Sequence, residues 1–133
     1  MAEAKGSQKV AKAEFAAHQN DTANARYNVR VARAEADYAV AREKCDDAAG
    51  NVKAVCVKDA KAALKSAKAD AKAGLKSGKA QTAANDKISE ARKDAYEDKR
   101  DANFAAAKER CEALAGEAKD RCVRDAKTRF GIN

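Results

Sequence analysis

Four cysteines are the residues of this sequence best suited to chemistry, and they form two pairs of equal spacing. Cys45 and Cys56 are separated by ten residues, as are Cys111 and Cys122, and each pair encloses a glycine near its midpoint. If each glycine lies between two antiparallel helices, the paired sulfurs face each other near the tip of a hairpin, where alanine-rich packing brings the backbones close enough to bridge. The sequence therefore predicts two disulfides, one in each hairpin, and with them an oxidising compartment.

The same thiols could instead bind a soft metal or act as a redox centre. A zinc site normally uses four nitrogen or sulfur ligands with short C-x2-C spacing, and a thioredoxin-like centre uses C-x-x-C. Here each cysteine stands alone, ten residues from its partner. A thiol-dependent metal or redox function is therefore kept as a third hypothesis, and neither a metal nor a cofactor is predicted.

A row of lysines is the second feature that could do chemistry. Its members recur every three or four residues and so share one face of a helix. This lysine stripe consists of Lys58, Lys61, Lys65, Lys68, Lys72, Lys76 and Lys79. It could lie along a polyanion, whether anionic lipid headgroups, a glycan or nucleic acid. The alternative is a solvated helix face whose lysine stems cover alanine packing and whose charges pair with acidic residues on a neighbouring helix.

Catalysis has no support in the sequence. His18 is the only histidine and lies far along the chain from every cysteine, so no Cys-His or Ser-His-Asp arrangement is indicated. The carboxylates alternate with Lys and Arg at helix-surface positions, where they are solvated. No glycine-rich phosphate loop occurs. We predict that the chain is not an enzyme.

Helices must position these residues throughout the chain. There is no proline, and there are only six glycines and 5% aromatic residues, whereas sheet proteins need β-branched and aromatic strands joined by Gly- and Pro-rich turns. Small and apolar residues at alternating intervals of four and three mark the seam of an antiparallel coiled-coil-like helix. Members of this seam are Tyr27, Val31, Ala34, Tyr38, Ala41, Cys45 and Ala48. The predicted fold is all-α, a coiled-coil-like bundle of long antiparallel hairpins, each stapled by a disulfide near its tip.

Helix boundaries follow from capping and breaking residues. Gln19-Asn20-Asp21-Thr22 is a weak breaker after a first helix, and the first two helices could instead be continuous. Gly50 is predicted to end the next helix and Asn51 to cap the one that returns. Gly74 and Gly78 are predicted to end the returning helix. The expected helices are Ser7–Ala17, Thr22–Ala49, a return from Asn51, Ala83–Ala115, and a short one that closes at Phe130-Gly131.

The chain contains an internal repeat. Residues 35–61 align with residues 101–127 at about half identity, with both cysteines and the glycine in register. A partial third copy stands at the start, where Glu3-Ala4-Lys5 matches Asp59-Ala60-Lys61. The predicted organisation is a single helical domain composed of a remnant helix of a truncated repeat (residues 1–21), hairpin 1 (22–80) and hairpin 2 (81–133). A longer precursor with an export signal and a further hairpin upstream is expected.

Two segments carry a family resemblance, YAVAREKCDDAAG at residues 38–50 and AKERCEALAG at residues 107–116. Together with the repeated ending V-[KR]-D-A-K, they resemble uncharacterised small exported Ala/Lys-rich helical proteins of Gram-negative bacteria, some of which carry a TolA-like label. The resemblance covers most of the chain, and its specific part is the repeated C-x10-C unit. It implies a periplasmic location in the cell envelope, and it transfers no functional residue.

These patterns predict a non-enzymatic periplasmic protein that acts as a helical structural or interaction module of the cell envelope. The alternative is a basic protein that binds an anionic polymer or lipid headgroup through the lysine stripe. Expected partners are a second copy of the chain or another envelope protein, because Val10 and Phe15 would be partly uncovered on a helix without its upstream neighbour. No small-molecule substrate is evident.

Overall fold

The computed structural model describes residues 2–133, and within that range the chain is helical except for short connections. The helices are α1 (Ala2–Gln19), α2 (Ala23–Cys45), α3 (Gly50–Cys111) and α4 (Gly116–Phe130). Disulfides join Cys45 to Cys56 and Cys111 to Cys122. The predicted all-α fold with disulfide-stapled helical hairpins is confirmed. Among the described residues, no helix has the length and apolar character needed to cross a membrane.

The chain divides into two compact units, one reaching Thr82 and the other formed by Ala83–Asn133. The first unit contains α1, α2 and the first part of α3. The second contains the rest of α3 together with α4.

Small residues form the core of the first unit. α2 contacts α1 through one face, where Gly6 lies against Ala36, and it contacts α3 through another face, which carries Ala34 and Cys45. Alanine brings helix axes close together but removes little apolar surface from water. Burial of one methyl-sized group stabilises the fold by only about 0.8 kcal/mol. The apolar core is therefore thin, and the disulfides make a large relative contribution to holding the helices together.

The break between α1 and α2 falls at the predicted weak breaker. α1 ends at Gln19, and α2 begins after Thr22, whose side-chain oxygen accepts a hydrogen bond from the backbone N–H of Ala25 at 3.0 Å. This is the standard way to satisfy an unpaired N–H group at the start of a helix. The position equivalent to Thr22 in the second repeat, sixty-six residues further along, is Ile88. An isoleucine cannot accept this bond, and α3 continues through it.

Continuity of α3 contradicts two predictions. Gly74 and Gly78 do not end the returning helix, and no separate helix spans Ala83–Ala115, because α3 runs unbroken from Gly50 to Cys111. The two glycines allow α2 to approach closely. A Cβ atom at Gly78 would lie 2.9 Å from the Cβ of Ala23, and one at Gly74 would lie 2.5 Å from Nη1 of Arg30. Glycine costs a helix interior about 1 kcal/mol, and close packing offsets that cost here.

The hairpin tips are also built differently from the prediction. α2 ends at Cys45 rather than Ala49, and Gly50 is the first residue of the returning helix, so it is not a C-terminal stop and Asn51 is not the N-cap. Gly50 has a φ of 55° and Gly116, its repeat equivalent, a φ of 59°. This left-handed region suits glycine because it has no Cβ. Each glycine therefore turns the chain into the returning helix.

Candidate interaction surfaces

The disulfides lie at the hairpin tips, and one cysteine of each pair is almost fully buried. Each joins Cα atoms 5.7 Å apart, within the range that suits a disulfide. Cys45 and Cys111 are each only 1% exposed. All four cysteines are paired, so none presents a thiolate to a metal or a substrate in this state. Two disulfides indicate an oxidising, non-cytoplasmic compartment.

Each tip carries a lysine–carboxylate pair across its turn at the same repeat position. In hairpin 1, Lys53 Nζ lies 3.1 Å from Oδ1 of Asp46, and in hairpin 2, Lys119 Nζ lies 2.7 Å from Oε2 of Glu112. The hydrogen bond from Lys53 lowers the pKa of Asp46, and that from Lys119 lowers the pKa of Glu112. The pKa of Lys119 is raised in turn by its bond to Glu112. These exposed pairs join the two sides of each turn.

No metal-binding cluster is present among the described residues. His18 is exposed at the end of α1, and no group of three or more His, Cys, Asp or Glu side chains in residues 2–133 has a geometry that could hold a metal ion. The larger concavities, such as the one between α1 and α2, are open grooves lined by charged and small residues. A small-molecule site is normally an enclosed and mostly apolar cavity.

The lysine stripe follows one flank of α3 in the first unit. Lys68 is half-buried and forms a salt bridge with Glu35 of α2 at 3.0 Å. The other six lysines are exposed, and within the described chain none of them forms a salt bridge. Pairing with a neighbouring helix therefore explains one member of the stripe. Asp59 and Asp70 project from the opposite flank by helical spacing, so the positive charge is concentrated on one side.

The second unit leaves uncovered a helical surface that is not among the sites predicted from the sequence. Ala83–Tyr96 is exposed at every residue, with Ile88 50% and Tyr96 69% exposed. Further along α3, the side that meets α4 is half-buried at Phe104 and Ala107. The other side carries exposed alanines and begins after Ile88. This outer face consists of Ala91, Ala95, Ala102 and Ala106.

Two signals in the sequence could have revealed the outer face. Its alanines recur at intervals of four, seven and four, which is a helical period. They also occupy the repeat positions of Ala25, Val29, Ala36 and Val40. On α1, the expectation of an uncovered apolar residue is met at Phe15, which is 65% exposed, while Val10 is half-buried.

No protein-family model matches this chain, and no curated protein and no solved structure is significantly similar to it.

Proposed function

We propose that this chain is a non-enzymatic structural or interaction module of a bacterial cell envelope, and that it acts in the periplasm. The observation that carries the proposal is that the same molecule has hairpin tips closed by disulfides and helix faces that no other helix of the described chain covers. The tips are fixed by disulfides, while helical surfaces such as the outer face of α3 stay exposed. Rigid helices that present uncovered, small-residue faces suit binding to other helices.

The location rests on two supports of different strength. The disulfides favour an oxidising compartment outside the cytoplasm. The resemblance of the C-x10-C unit to exported proteins of Gram-negative bacteria favours the periplasm among such compartments.

In vivo photo-crosslinking tests the interaction role. The chain would be exported to the periplasm of a Gram-negative bacterium with a photoreactive amino acid at Ala95, on the exposed outer face. A matched control would carry the same group at Ala107, which is half-buried on the side facing α4. We expect discrete protein adducts from position 95 and few from position 107. Absence of adducts from position 95 and from other exposed helix positions would contradict an interaction role.

A second function, polyanion binding, is favoured by the unpaired lysines. Six of the seven stripe lysines have no acidic partner among the described residues. From Lys58 to Lys79 the stripe extends about 32 Å at 1.5 Å per residue. An extended polyanion, such as a row of lipid phosphates, could contact many of these lysines at once, and each neutralised charge would make binding more sensitive to salt.

Vesicle binding tests this second function. We expect a variant with Lys61, Lys65, Lys68 and Lys72 changed to Gln to bind phosphatidylglycerol vesicles at least tenfold more weakly in 50 mM salt. The control has the same loss of charge at positions away from the stripe, Lys5, Lys9, Lys12 and Lys108. Equal loss in both variants would show a general effect of net charge, and the stripe would not be a binding surface.

The third hypothesis, thiol-dependent metal or redox chemistry, requires the disulfides to be reduced first. Intact mass measured without reductant, with four hydrogens lost and no bound metal, would count against it. A mass that shows a bound metal would favour it over the other two functions.

A further inference from the structure

The internal repeat provides a template for what the outer face of α3 binds. In the first unit, the equivalent face of α2 is covered by α1, and its residues are half-buried where those of the outer face are exposed. The closest approach is between Gly6 of α1 and Ala36 of α2, where a Cβ added to the glycine would lie 2.8 Å from that of Ala36. Ala102 occupies the place of Ala36 in the second repeat. The same close helix contact is thus possible on the outer face.

Charged residues around the two faces also correspond. α1 is held to α2 by an ion pair between Glu14 and Arg33. The backbone N–H of Ala2 also donates a hydrogen bond to Oε1 of Glu43 at 3.2 Å. The equivalents of Arg33 and Glu43 are Lys99 and Glu109, so both charges are retained. Lys99 and Glu109 are exposed, and neither takes part in a salt bridge within the described chain. The charged residues that hold α1 on α2 therefore have equivalents beside the outer face, and these equivalents form no salt bridge within the described chain.

We propose that the outer face of α3 is a docking surface for a helix of α1's pattern supplied by another polypeptide. The occupant is an amphipathic helix with Gly or Ala at the contact and an acidic residue eight positions after that glycine, as Glu14 follows Gly6. It packs antiparallel to α3, as α1 packs on α2, with its acid on Lys99 and its N-terminus beside Glu109. This inference deepens the proposed interaction function and rests on it.

One residue beside the outer face differs in charge from its equivalent on α2, and this difference predicts a further charged residue on the partner helix. Asp98 replaces Ala32 and places a negative charge on the border of the outer face. By helical spacing this border is opposite the one that carries Lys99. On α1, Lys9 lies on the corresponding side, across the contact face from Glu14. The favoured partner therefore carries a basic residue on one border and an acidic one on the other, a pattern that also fixes its direction.

A peptide titration tests the docking surface directly. The probe is a synthetic peptide of residues 2–20, added in excess to the full oxidised chain labelled with 15N for NMR. We expect chemical-shift changes concentrated at Ala91, Ala95, Ala102 and Ala106. Ala102→Glu should weaken binding at least tenfold, because its side chain occupies the point of closest approach. Lys99→Glu should weaken binding by a similar factor, and a peptide with Glu14→Lys should restore binding to that variant.

Lys93→Glu is the matched control, since it reverses a charge on a side of α3 away from the outer face and should leave peptide affinity unchanged. Shifts spread evenly over the chain would overturn the proposal, as would affinity that does not respond to Ala102→Glu or failure of the Glu14→Lys peptide to rescue Lys99→Glu. Because this is a binding measurement on purified protein, it can fail while crosslinking in the periplasm still succeeds at another surface.

Discussion

Hairpin 1 and hairpin 2 have the same tip. Both have a disulfide with Cα atoms 5.7 Å apart, a glycine of positive φ that turns the chain, and a lysine that bridges to a carboxylate across the turn. Ala60 and Ala126, at equivalent positions below the disulfides, are buried to a similar degree, 8% and 7% exposed. The repeat therefore encodes the tip as a unit.

Away from the tip the hairpins differ. In hairpin 1, α3 continues past Ala71, which is 1% exposed, and packs Gly74 and Gly78 against the start of α2. In hairpin 2, α4 ends at Phe130, beside Tyr96 and Arg100 of α3. Arg100 stands where hairpin 1 has the buried Ala34. The same tip therefore forms with either extent of packing below it, and we expect the hairpin with less packing to depend more on its disulfide.

Removal of the disulfides should produce the largest difference in stability between the two hairpins. A disulfide that closes a loop of this size contributes about 3 kcal/mol. We expect Cys111→Ser with Cys122→Ser to release α4, because a helix of 15 residues is marginal alone. Amide hydrogen exchange in α4 should then accelerate more than tenfold. The matched pair, Cys45→Ser with Cys56→Ser, should accelerate exchange less in α2, which α1 also covers. Equal acceleration in both variants would show that packing differences do not matter.

Glycine substitutions probe the part of hairpin 1 that hairpin 2 lacks. Gly78→Ala should destabilise the chain by about 1–2 kcal/mol, because its Cβ would meet the Cβ of Ala23 and overpacking has few ways to relax. Gly74→Ala should instead be neutral or stabilising by up to about 1 kcal/mol, because the flexible Arg30 side chain can move aside and helix propensity improves. Urea unfolding measures both. A change in the free energy of unfolding of the same sign in both variants would contradict these different roles of the two glycines.

The helix cap at Thr22 distinguishes the junction before hairpin 1 from the one before hairpin 2. Thr22→Ile should cost about 1 kcal/mol in thermal or urea unfolding, because the N–H of Ala25 loses its acceptor. Ile88→Thr, the reciprocal change, should alter stability by no more than a few tenths of a kcal/mol, since α3 is continuous there and needs no cap. A large loss of stability from Ile88→Thr would contradict this, because it would mean that Ile88 makes stabilising contacts beyond its own helix.

The smallest expected effect is the acid sensitivity shared by the two tips. The pKa values of Asp46 and Glu112 are lowered from their ordinary values of 3.8 and 4.5. A lowered carboxyl pKa gives stability that is present above the ordinary value and lost as pH falls through the lowered one. Followed by circular dichroism, Asp46→Asn should flatten the fall of stability below pH 3.8, and Glu112→Gln should flatten it below pH 4.5. Asp59→Asn, whose carboxylate makes no salt bridge among the described residues, is the control and should not flatten it.

The cysteine spacing was sufficient to predict the stapled hairpins, because a repeated C-x10-C unit around a glycine restricts both the turn and the pairing. Continuity through Gly74 and Gly78 could not be read in the same way. The cost of a glycine in a helix is small enough for packing against Ala23 to outweigh it, and packing partners are invisible in a list of residues. The pairing of Lys68 alone within the stripe also depends on where Glu35 lies in three dimensions.

Disulfide mapping tests most directly the claim that each hairpin closes on itself. Trypsin cleaves after Lys44, Lys53, Lys58, Arg110, Lys119, Arg121 and Arg124, which separates the members of each pair. Without reductant, we expect peptide 45–53 to be linked to 54–58, and peptide 111–119 to 122–124. A link between peptides 45–53 and 111–119, or free thiols in the folded chain, would contradict it.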